Sequence, residues 1–288
     1  ILLGDPEKIA KDNPNVDLTG VTVIDPAKSE KRAEYAALLY ALRKAKGMTE
    51  EEADRLSYDN TYFGVLMLKA GDADGLVSGA CHSTANTLRP GLQIVKAAPG
   101  VPLVSSYFLM VAPAGGNEYC EDGAFIYADC GLNENPTSEQ LADIAIISAK
   151  TAEKIAGMEP RVAMLSFSTK GSAKHADIDK VTAALAIAKE KAPDLNIDGE
   201  LQLDAAIVPS VAKSKAPGSK VAGHANVLIF PDLDAGNIGY KLTERLGGFQ
   251  AVGPLCQGFA KPINDLSRGC KSDDVVAAVA ITALQTQL

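Results

Sequence analysis

The chain of 288 residues has no tryptophan, only three histidines and five cysteines. His82, His175 and His224 lie far apart and lack the spacing of metal ligands, so we expect no metal site. The cysteines are odd in number, scattered, and without a Cys-x-x-Cys pair. This pattern indicates reduced, buried thiols and not a disulfide framework.

Long apolar runs are absent as well. No run approaches the roughly 18 residues of a membrane helix, and the opening Ile1-Leu2-Leu3 is followed at once by Gly4-Asp5-Pro6. We therefore expect neither a membrane span nor a signal peptide, and a cytoplasmic location is the default.

An excess of basic residues is also missing. Lysine and arginine number 28 against 36 aspartates and glutamates, which gives a net charge of −8 with no basic stripe. Nucleic acids and anionic membranes are therefore poor partners. An anionic small substrate would need a local positive pocket.

Nucleotide-binding motifs are not present. The glycines at 253 and 258 have the separation of a phosphate loop, but Phe259-Ala260 follows where Lys-Ser/Thr is required, and no Gly-x-Gly-x-x-Gly occurs. ATP and dinucleotides are therefore disfavoured, and we expect no cofactor.

Short β-branched runs alternate with helical patterns along the chain. The helical pattern is clearest over residues 138–156, where Thr137 and Gln140 form a capping box and Gly157 ends the helix. The strand-like runs are residues 21–24, 75–77, 101–112, 124–127, 162–167, 227–230, and either 205–208 or the run just before it. This alternation predicts an α/β fold with a mostly parallel sheet, in one large domain or two smaller ones.

Small polar residues follow several of these strands, in residues 78–80, 168–172 and 232–237. Ligands of open α/β sheets collect at the carboxyl ends of strands, so we expect these segments to wall one site. Ser168, Thr169, Ser172 and the backbone amides around Gly171 would supply donors to an oxyanion. Taken singly, each segment is more often a tight turn with a helix cap.

A second polar cluster lies near the end of the chain. Ser267 and Arg268 precede Asp274, and Ser272 could cap the apolar helix that follows. A hydroxyl, a guanidinium and a carboxylate thus come close together. The alternative is that Asp273 and Asp274 merely complement the helix dipole and Ser267 closes a turn.

Arginine is scarce, with seven in the chain. Arg89 precedes Pro90, which predicts a loop and not a helix at Arg89. Arg43 lies where a helix should end. A surface salt bridge is the alternative for each, and for Arg43 alone it is the better explanation. Arg89 and Arg268 are better suited to clamp a phosphate or carboxylate.

Six ordered blocks of the sequence resemble the phosphate acetyltransferases, or phosphotransacetylases, of the phosphate acetyl/butyryltransferase family. They are DADGLVSGACHS (72–83), TLRP (87–90), LSFSTKGSA (165–173), DGELQLDAA (198–206), FPDLDAGNI (230–238) and KPINDLSRG (261–269). The resemblance covers essentially the whole chain, which begins in what resembles the second strand of the family.

The resemblance implies a reaction and an architecture. The reaction moves an acetyl group between coenzyme A and phosphate, giving acetyl phosphate, without a metal, a nucleotide or a covalent acyl-enzyme. The fold implied is two α/β lobes like those of isocitrate and isopropylmalate dehydrogenases, with the active site in the cleft between them. Residues 1–103 and 257–288 would form the first lobe and residues 104–256 the second, in a homodimer.

The resemblance also assigns roles. Asp274 is implied as the base for the coenzyme A thiol, Ser267 and Arg268 as donors to the acyl oxygen and coenzyme A, and Arg89 and Arg43 as anion-binding arginines. The predicted substrate-binding residues are Arg43, Ser168, Thr169, Lys170 and Asn237. Two alternatives stay open, a transferase of a longer acyl group such as butyryl and a non-catalytic acetyl-CoA sensor.

Overall fold

A computed structural model describes residues 1–287 of the chain. Within them the helices are α1 Pro6–Asp12, α2 Arg32–Arg43, α3 Glu50–Leu56, α4 Asn60–Ala70, α5 Thr84–Ile94, α6 Ser138–Lys154, α7 Ala176–Lys191, α8 Leu203–Ile207, α9 Pro209–Lys215, α10 Leu233–Arg245 and α11 Ser272–Gln285. The strands are β1 Leu2–Leu3, β2 Val23–Ile24, β3 Leu76–Ser78, β4 Ser105–Val111, β5 Ala124–Ala128, β6 Val162–Leu165, β7 Ile197–Leu201, β8 Val227–Ile229, β9 Gln250–Gln257 and β10 Ile263–Asp265.

The largest sheet has six strands in the order β7-β6-β8-β5-β4-β9. The first four run parallel, and β4 pairs antiparallel with both β5 and β9. Two further pairs, β1 with β2 and β3 with β10, are parallel. The predicted α/β class with mostly parallel sheets is thus confirmed. The division into lobes at residues 103 and 257 stays a prediction.

Helix α6 covers one face of the large sheet. Its Leu141, Ile144 and Ala145 are fully buried and belong to the same apolar cluster as Ile126 and Ile229 of the sheet. The capping box is present: the Thr137 hydroxyl accepts the Gln140 N–H at 3.3 Å, and the Gln140 side chain accepts the Thr137 N–H at 2.9 Å. The helix predicted from local signals is therefore the one that forms.

We expect Thr137→Ala to lower the free energy of unfolding by about 1 kcal/mol, because it removes the acceptor of one helix cap. For a chain of this size the melting temperature should fall by roughly 2–4 °C. Thermal unfolding followed by circular dichroism measures the change. Thr137→Ser keeps the hydroxyl and is the control. Equal stability of Thr137→Ala and Thr137→Ser would contradict a stabilising role for the cap.

Two features of the strand prediction need correction or completion. Residues 205–208 do not form a strand, since α8 spans Leu203–Ile207, and the run just before it forms β7. Strand β9 was not predicted, because Gly253 and Pro254 interrupt its pattern. The register of β4 against β9 shifts between Tyr107 and Leu109, and this irregularity accommodates a proline that lacks a ladder N–H.

Arg89 lies within α5 and not on a loop. Pro90 removes one helical hydrogen bond, which costs on the order of 3 kcal/mol in a helix interior. Burial compensates for this loss. Leu88 and Ile94 of the same helix belong to the buried apolar cluster that includes Ile263 of β10, and Gly91 lies directly against Ile263. Tertiary packing therefore overrides the local preference of the sequence.

Candidate active site

The loop that carries Ser267 and Arg268 begins where the paired strands β3 and β10 end. Asp265, the last residue of β10, pairs with Ser78 at the end of β3, and the Leu266 N–H donates to the Ser78 carbonyl at 2.7 Å. Ser267 and Arg268 follow immediately and are exposed. The two side chains thus extend from the carboxyl edge of a small parallel sheet, where α/β folds commonly place ligands.

Asp274 lies in the first turn of α11, which the loop leads into. Its carboxylate accepts the backbone N–H of Lys271 at 2.8 Å, so it caps the helix from inside the first turn. The helix begins at Ser272, so Ser272 is its first residue and not the cap that the sequence predicted. The Asp274 side chain is partly buried, with one oxygen engaged in the cap.

Two further arginines lie on one cavity. Arg43 ends α2 and Arg89 lies on α5, and both line a space of about 470 Å³. We call this space the arginine cavity, and its remaining walls are Thr84, Ala85, Leu88, Leu92, Gln93, Gly131, Leu132, Glu134 and Leu233. The walls come from both parts of the chain that the sequence assigned to different lobes. The cavity brings the two predicted anion-binding arginines together, and their binding role stays a prediction.

The charges of the Arg89 and Arg43 guanidinium groups both act on the pKa of the Tyr62 hydroxyl. Burial raises the pKa of its hydroxyl, and the charges of Arg89 and Arg43 act against that rise. Two guanidinium groups and one carboxylate, that of Glu134, thus line the cavity in a chain whose net charge is −8. An anionic group entering the arginine cavity would meet the field of both.

The predicted site arginines differ in their partners from three of the other four arginines. The fourth, Arg55, is exposed in the last turn of α3 and likewise has no ion pair or side-chain hydrogen bond within residues 1–287. Arg32, Arg161 and Arg245 form ion pairs with carboxylates of the protein. Within residues 1–287 the guanidinium groups of Arg43, Arg89 and Arg268 have neither an ion pair nor a hydrogen bond, and the Arg43 Nε is buried without a partner. Arginines left without an internal partner are available to a ligand.

Residues 1–283 match the sequence profile of the phosphate acetyl/butaryl transferase family. The chain belongs to this family. It is therefore an acyltransferase.

Named relatives agree with this assignment. The phosphate acetyltransferase of Acetivibrio thermocellus is 58% identical over 287 residues, covering 100% of this chain and 86% of the relative. That of Bacillus subtilis is 51% identical and covers 99% of this chain and 86% of the relative. The phosphotransacetylase structure from Streptococcus pyogenes superposes with a TM-score of 0.92 at 46% identity, covering 100% of this chain and 85% of that one.

A more distant solved structure shares the fold alone. A branched-chain phosphotransacylase from Enterococcus faecalis V583 superposes with a TM-score of 0.64 at 23% identity, covering 78% of each chain. The fold is thus shared with a protein named for a different acyl group.

The family segment after β6 contains the other predicted binding residues, and the structure gives them internal partners. Ser168 is buried and donates to Glu200 at 2.8 Å, and the Thr169 hydroxyl accepts the Gln202 N–H at 2.9 Å. Lys170 pairs with the carboxylate of Asp198 and donates to the Gly199 carbonyl at 3.0 Å. These groups hold the loop to the end of β7. Their polar atoms already bond within the protein, unlike the guanidinium groups of Arg43, Arg89 and Arg268.

Asp198 keeps its charge within this network. Burial works against ionisation, but hydrogen bonds from Lys170, Ser219 and the Gly199 N–H outweigh it and hold the pKa of Asp198 below its ordinary value. The Lys170 ammonium thus has an ionised partner, which reduces the charge it offers to a ligand. The binding role of Ser168, Thr169 and Lys170 stays a prediction.

Asn237 occupies the first half of α10. Its amide donates to the Cys130 carbonyl at 3.2 Å and its oxygen accepts from Lys241 at 2.7 Å. Leu233, at the start of the same helix, lines the arginine cavity. Asn237 therefore lies on an element of the cavity wall while its polar atoms bond within the protein.

Asp129 is a site residue that sequence reasoning missed. It follows β5 directly and is buried, and its carboxylate accepts the N–H groups of Gly131, Leu132 and Asn133 at 2.9, 3.1 and 3.1 Å. It also bonds the Ser106 N–H across to β4 at 3.2 Å. Asp129 thus fixes the loop that forms one wall of the arginine cavity. The strand-end rule that selected Ser168 would have found it.

Within residues 1–287, no group of three or more His, Cys, Asp or Glu side chains is arranged to hold a metal ion. Over the same part of the chain, no helix combines the length and the apolar composition needed to cross a bilayer.

Proposed function

We propose that the chain transfers an acetyl group between coenzyme A and inorganic phosphate in a ternary complex, with Asp274 as the base. The substrates are acetyl-CoA and phosphate in one direction, and coenzyme A and acetyl phosphate in the other. The observation that carries the proposal is the set of arginines, Arg43, Arg89 and Arg268, which have no internal partner within residues 1–287. Both substrates are anions, and guanidinium groups are suited to bind them.

In the direction of acetyl phosphate, a phosphate oxygen attacks the thioester carbonyl and the thiolate of coenzyme A departs. Phosphate is already a nucleophile at neutral pH, so catalysis is mainly positioning, which can contribute up to about 7–11 kcal/mol. Ser267 and Arg268 would donate to the carbonyl oxygen as negative charge develops on it. The thiolate then takes a proton, for which Asp274 is the carrier.

In the reverse direction Asp274 receives the thiol proton as sulfur attacks acetyl phosphate. A thiol pKa of about 8.5 exceeds that of an ordinary aspartate by several units, so proton transfer to Asp274 is unfavourable unless the thiolate is stabilised. Arg268 could supply it by stabilising the thiolate, because it lies six residues before Asp274 and has no internal counter-ion within residues 1–287.

The proposal is tested by the phosphate-dependent release of free thiol from acetyl-CoA, followed with a thiol reagent. We expect release that saturates with phosphate and stops when phosphate is omitted. Acetyl-CoA binding without any thiol release would favour the non-catalytic sensor. The same assay with butyryl-CoA examines the second candidate, since each methylene can change kcat/KM by a free energy of about 1–3 kcal/mol.

A homodimer and a cytoplasmic location belong to the same proposal. An apolar stripe on α10 supports the homodimer. Ile238 and Leu242 of α10 and Leu246, the residue at its C-terminal cap, recur every four residues, and they are 58%, 51% and 82% exposed. A large apolar stripe facing solvent is a common feature of protein interfaces.

A further inference from the structure

Asn264, in the middle of β10, carries a fully buried amide that bonds to two other elements. Its oxygen accepts the backbone N–H of Cys256 in β9 at 2.7 Å. Its nitrogen donates to the Thr282 hydroxyl at 2.7 Å and to the side-chain oxygen of Gln285 at 2.8 Å, and both acceptors belong to α11. Because an N–H group can only donate, the bond from Cys256 fixes which way the amide faces. Asn264 therefore joins α11 to both strands.

The partners of Asn264 complete a closed network of hydrogen bonds. The side-chain nitrogen of Gln285 donates to the Cys256 carbonyl at 2.9 Å, and the Thr282 hydroxyl donates to the Ala278 carbonyl at 2.6 Å. An axial shift of α11 would break these bonds and leave buried polar atoms unpaired, which is costly. A buried network with matched donors and acceptors thus specifies one position of the helix.

Close packing on β3 restricts the same part of α11. A Cβ on Gly75, the residue before β3, would lie 2.5 Å from the methyl carbon of Thr282. Thr282 is buried and β-branched, so its methyl has little freedom to move away. The helix can approach the strand this closely because residue 75 has no side chain. Packing and hydrogen bonds therefore fix α11 at the same point.

We propose that Asn264 is a positioning residue, which sets where Asp274 lies relative to Ser267. Ser267 is three residues beyond Asn264, so its place follows from β10. Asp274 lies eight residues before Thr282, about 12 Å along one helix, so its place follows from the bonds between Asn264 and α11. One buried amide is thus the common reference for the predicted base and a predicted donor to the acyl oxygen. This inference rests on the proposed function, because it concerns the alignment of that site.

Asn264→Asp disturbs the bonds to α11 and spares the bond to β9. The introduced carboxylate has the size of the amide and can still accept the Cys256 N–H, but an oxygen replaces the nitrogen that donates to α11. We expect kcat for phosphate-dependent thiol release to fall about tenfold, because Asp274 loses its alignment. The melting temperature should fall as well, since a buried carboxylate replaces a fully bonded amide.

The decisive measurement is a double-mutant cycle with Asp274→Asn. If Asn264 acts through Asp274, Asn264→Asp should cost about tenfold in kcat in the wild-type background and less than about twofold once the Asp274 carboxylate is removed. Thr137→Ala is the control for lost stability. It weakens a distant helix, and its effect on kcat should be negligible in both backgrounds.

Thr282→Val takes the place of Asn264→Asp if the latter does not fold. It removes the hydroxyl that accepts from Asn264, keeps the methyl beside Gly75, and enters the same cycle with the same criterion. Thr286→Val is its matched control, because the Thr286 hydroxyl bonds only to the Ala283 carbonyl within residues 1–287, at 2.7 Å. This control should leave kcat unchanged in both backgrounds.

Equal losses of kcat in both backgrounds, or a lower melting temperature with unchanged kcat, would show Asn264 to be merely structural and overturn the proposal. Failure of the proposed function would look different, because the wild type would then release no thiol from acetyl-CoA in the presence of phosphate.

Discussion

Replacing Arg268 with alanine should lower kcat for phosphate-dependent thiol release by on the order of 10²–10³, the loss seen when one oxyanion donor is removed. Arg268 is exposed and has no internal partner within residues 1–287, so its removal breaks no bond of the fold. The melting temperature should therefore stay within about 2 °C of the wild type, since exposed substitutions usually change stability by less than about 0.5 kcal/mol.

Arg245→Ala is the matched control for this experiment. Arg245 is also exposed, but it lies in the last turn of α10 and pairs with Glu244. We expect normal turnover from Arg245→Ala and a rise in the KM for acetyl-CoA only from Arg268→Ala. Turnover of Arg268→Ala within a few-fold of the wild type would refute the role assigned to its guanidinium.

Asp274→Asn should lower kcat by at least about 10², because the amide cannot accept the thiol proton. The substitution is well suited to isolate this role. The side-chain oxygen of the introduced amide can still accept the Lys271 N–H that the carboxylate now accepts at 2.8 Å, so the start of α11 should persist. The loss of turnover would then report the charge and basicity of Asp274 alone.

Asp273→Asn provides the comparison, because Asp273 precedes Asp274 in the same helical turn and is exposed. Both variants remove one negative charge from the start of α11 and should lose similar, small amounts of stability. Only Asp274→Asn should lose turnover. Equal activities of the two variants would mean that the Asp274 carboxylate serves to complement the helix dipole and does not transfer the thiol proton.

The sequence predicted best those features that depend on neighbouring residues. Helix α6 was predicted with its capping box, because Thr137 and Gln140 are three residues apart and the apolar period is regular. Strand β9 was not, because a glycine and a proline obscure its pattern and only its pairing with β4 stabilises it. Arg89 was misplaced for a similar reason, since the burial that keeps Pro90 helical comes from distant elements.

The candidate site shows the same limit. The sequence selected Arg43, Arg89 and Lys170 alike as cationic groups, but it could not show which of them already have partners. Lys170 finds Asp198, which is 28 residues away along the chain and next to it in space, whereas the two arginines find none within residues 1–287. Availability to a ligand depends on three-dimensional neighbours, and one sequence does not contain that information.

The way Asp129 fixes its loop bears on how the substrate preference of this fold can change during evolution. The carboxylate binds main-chain N–H groups of residues 131–133, which every residue type except proline possesses. These hydrogen bonds of the loop therefore do not depend on the side chains of Leu132 and Glu134, which line the arginine cavity. A scaffold of this kind lets the cavity acquire a new shape or charge by single substitutions while its frame stays constant.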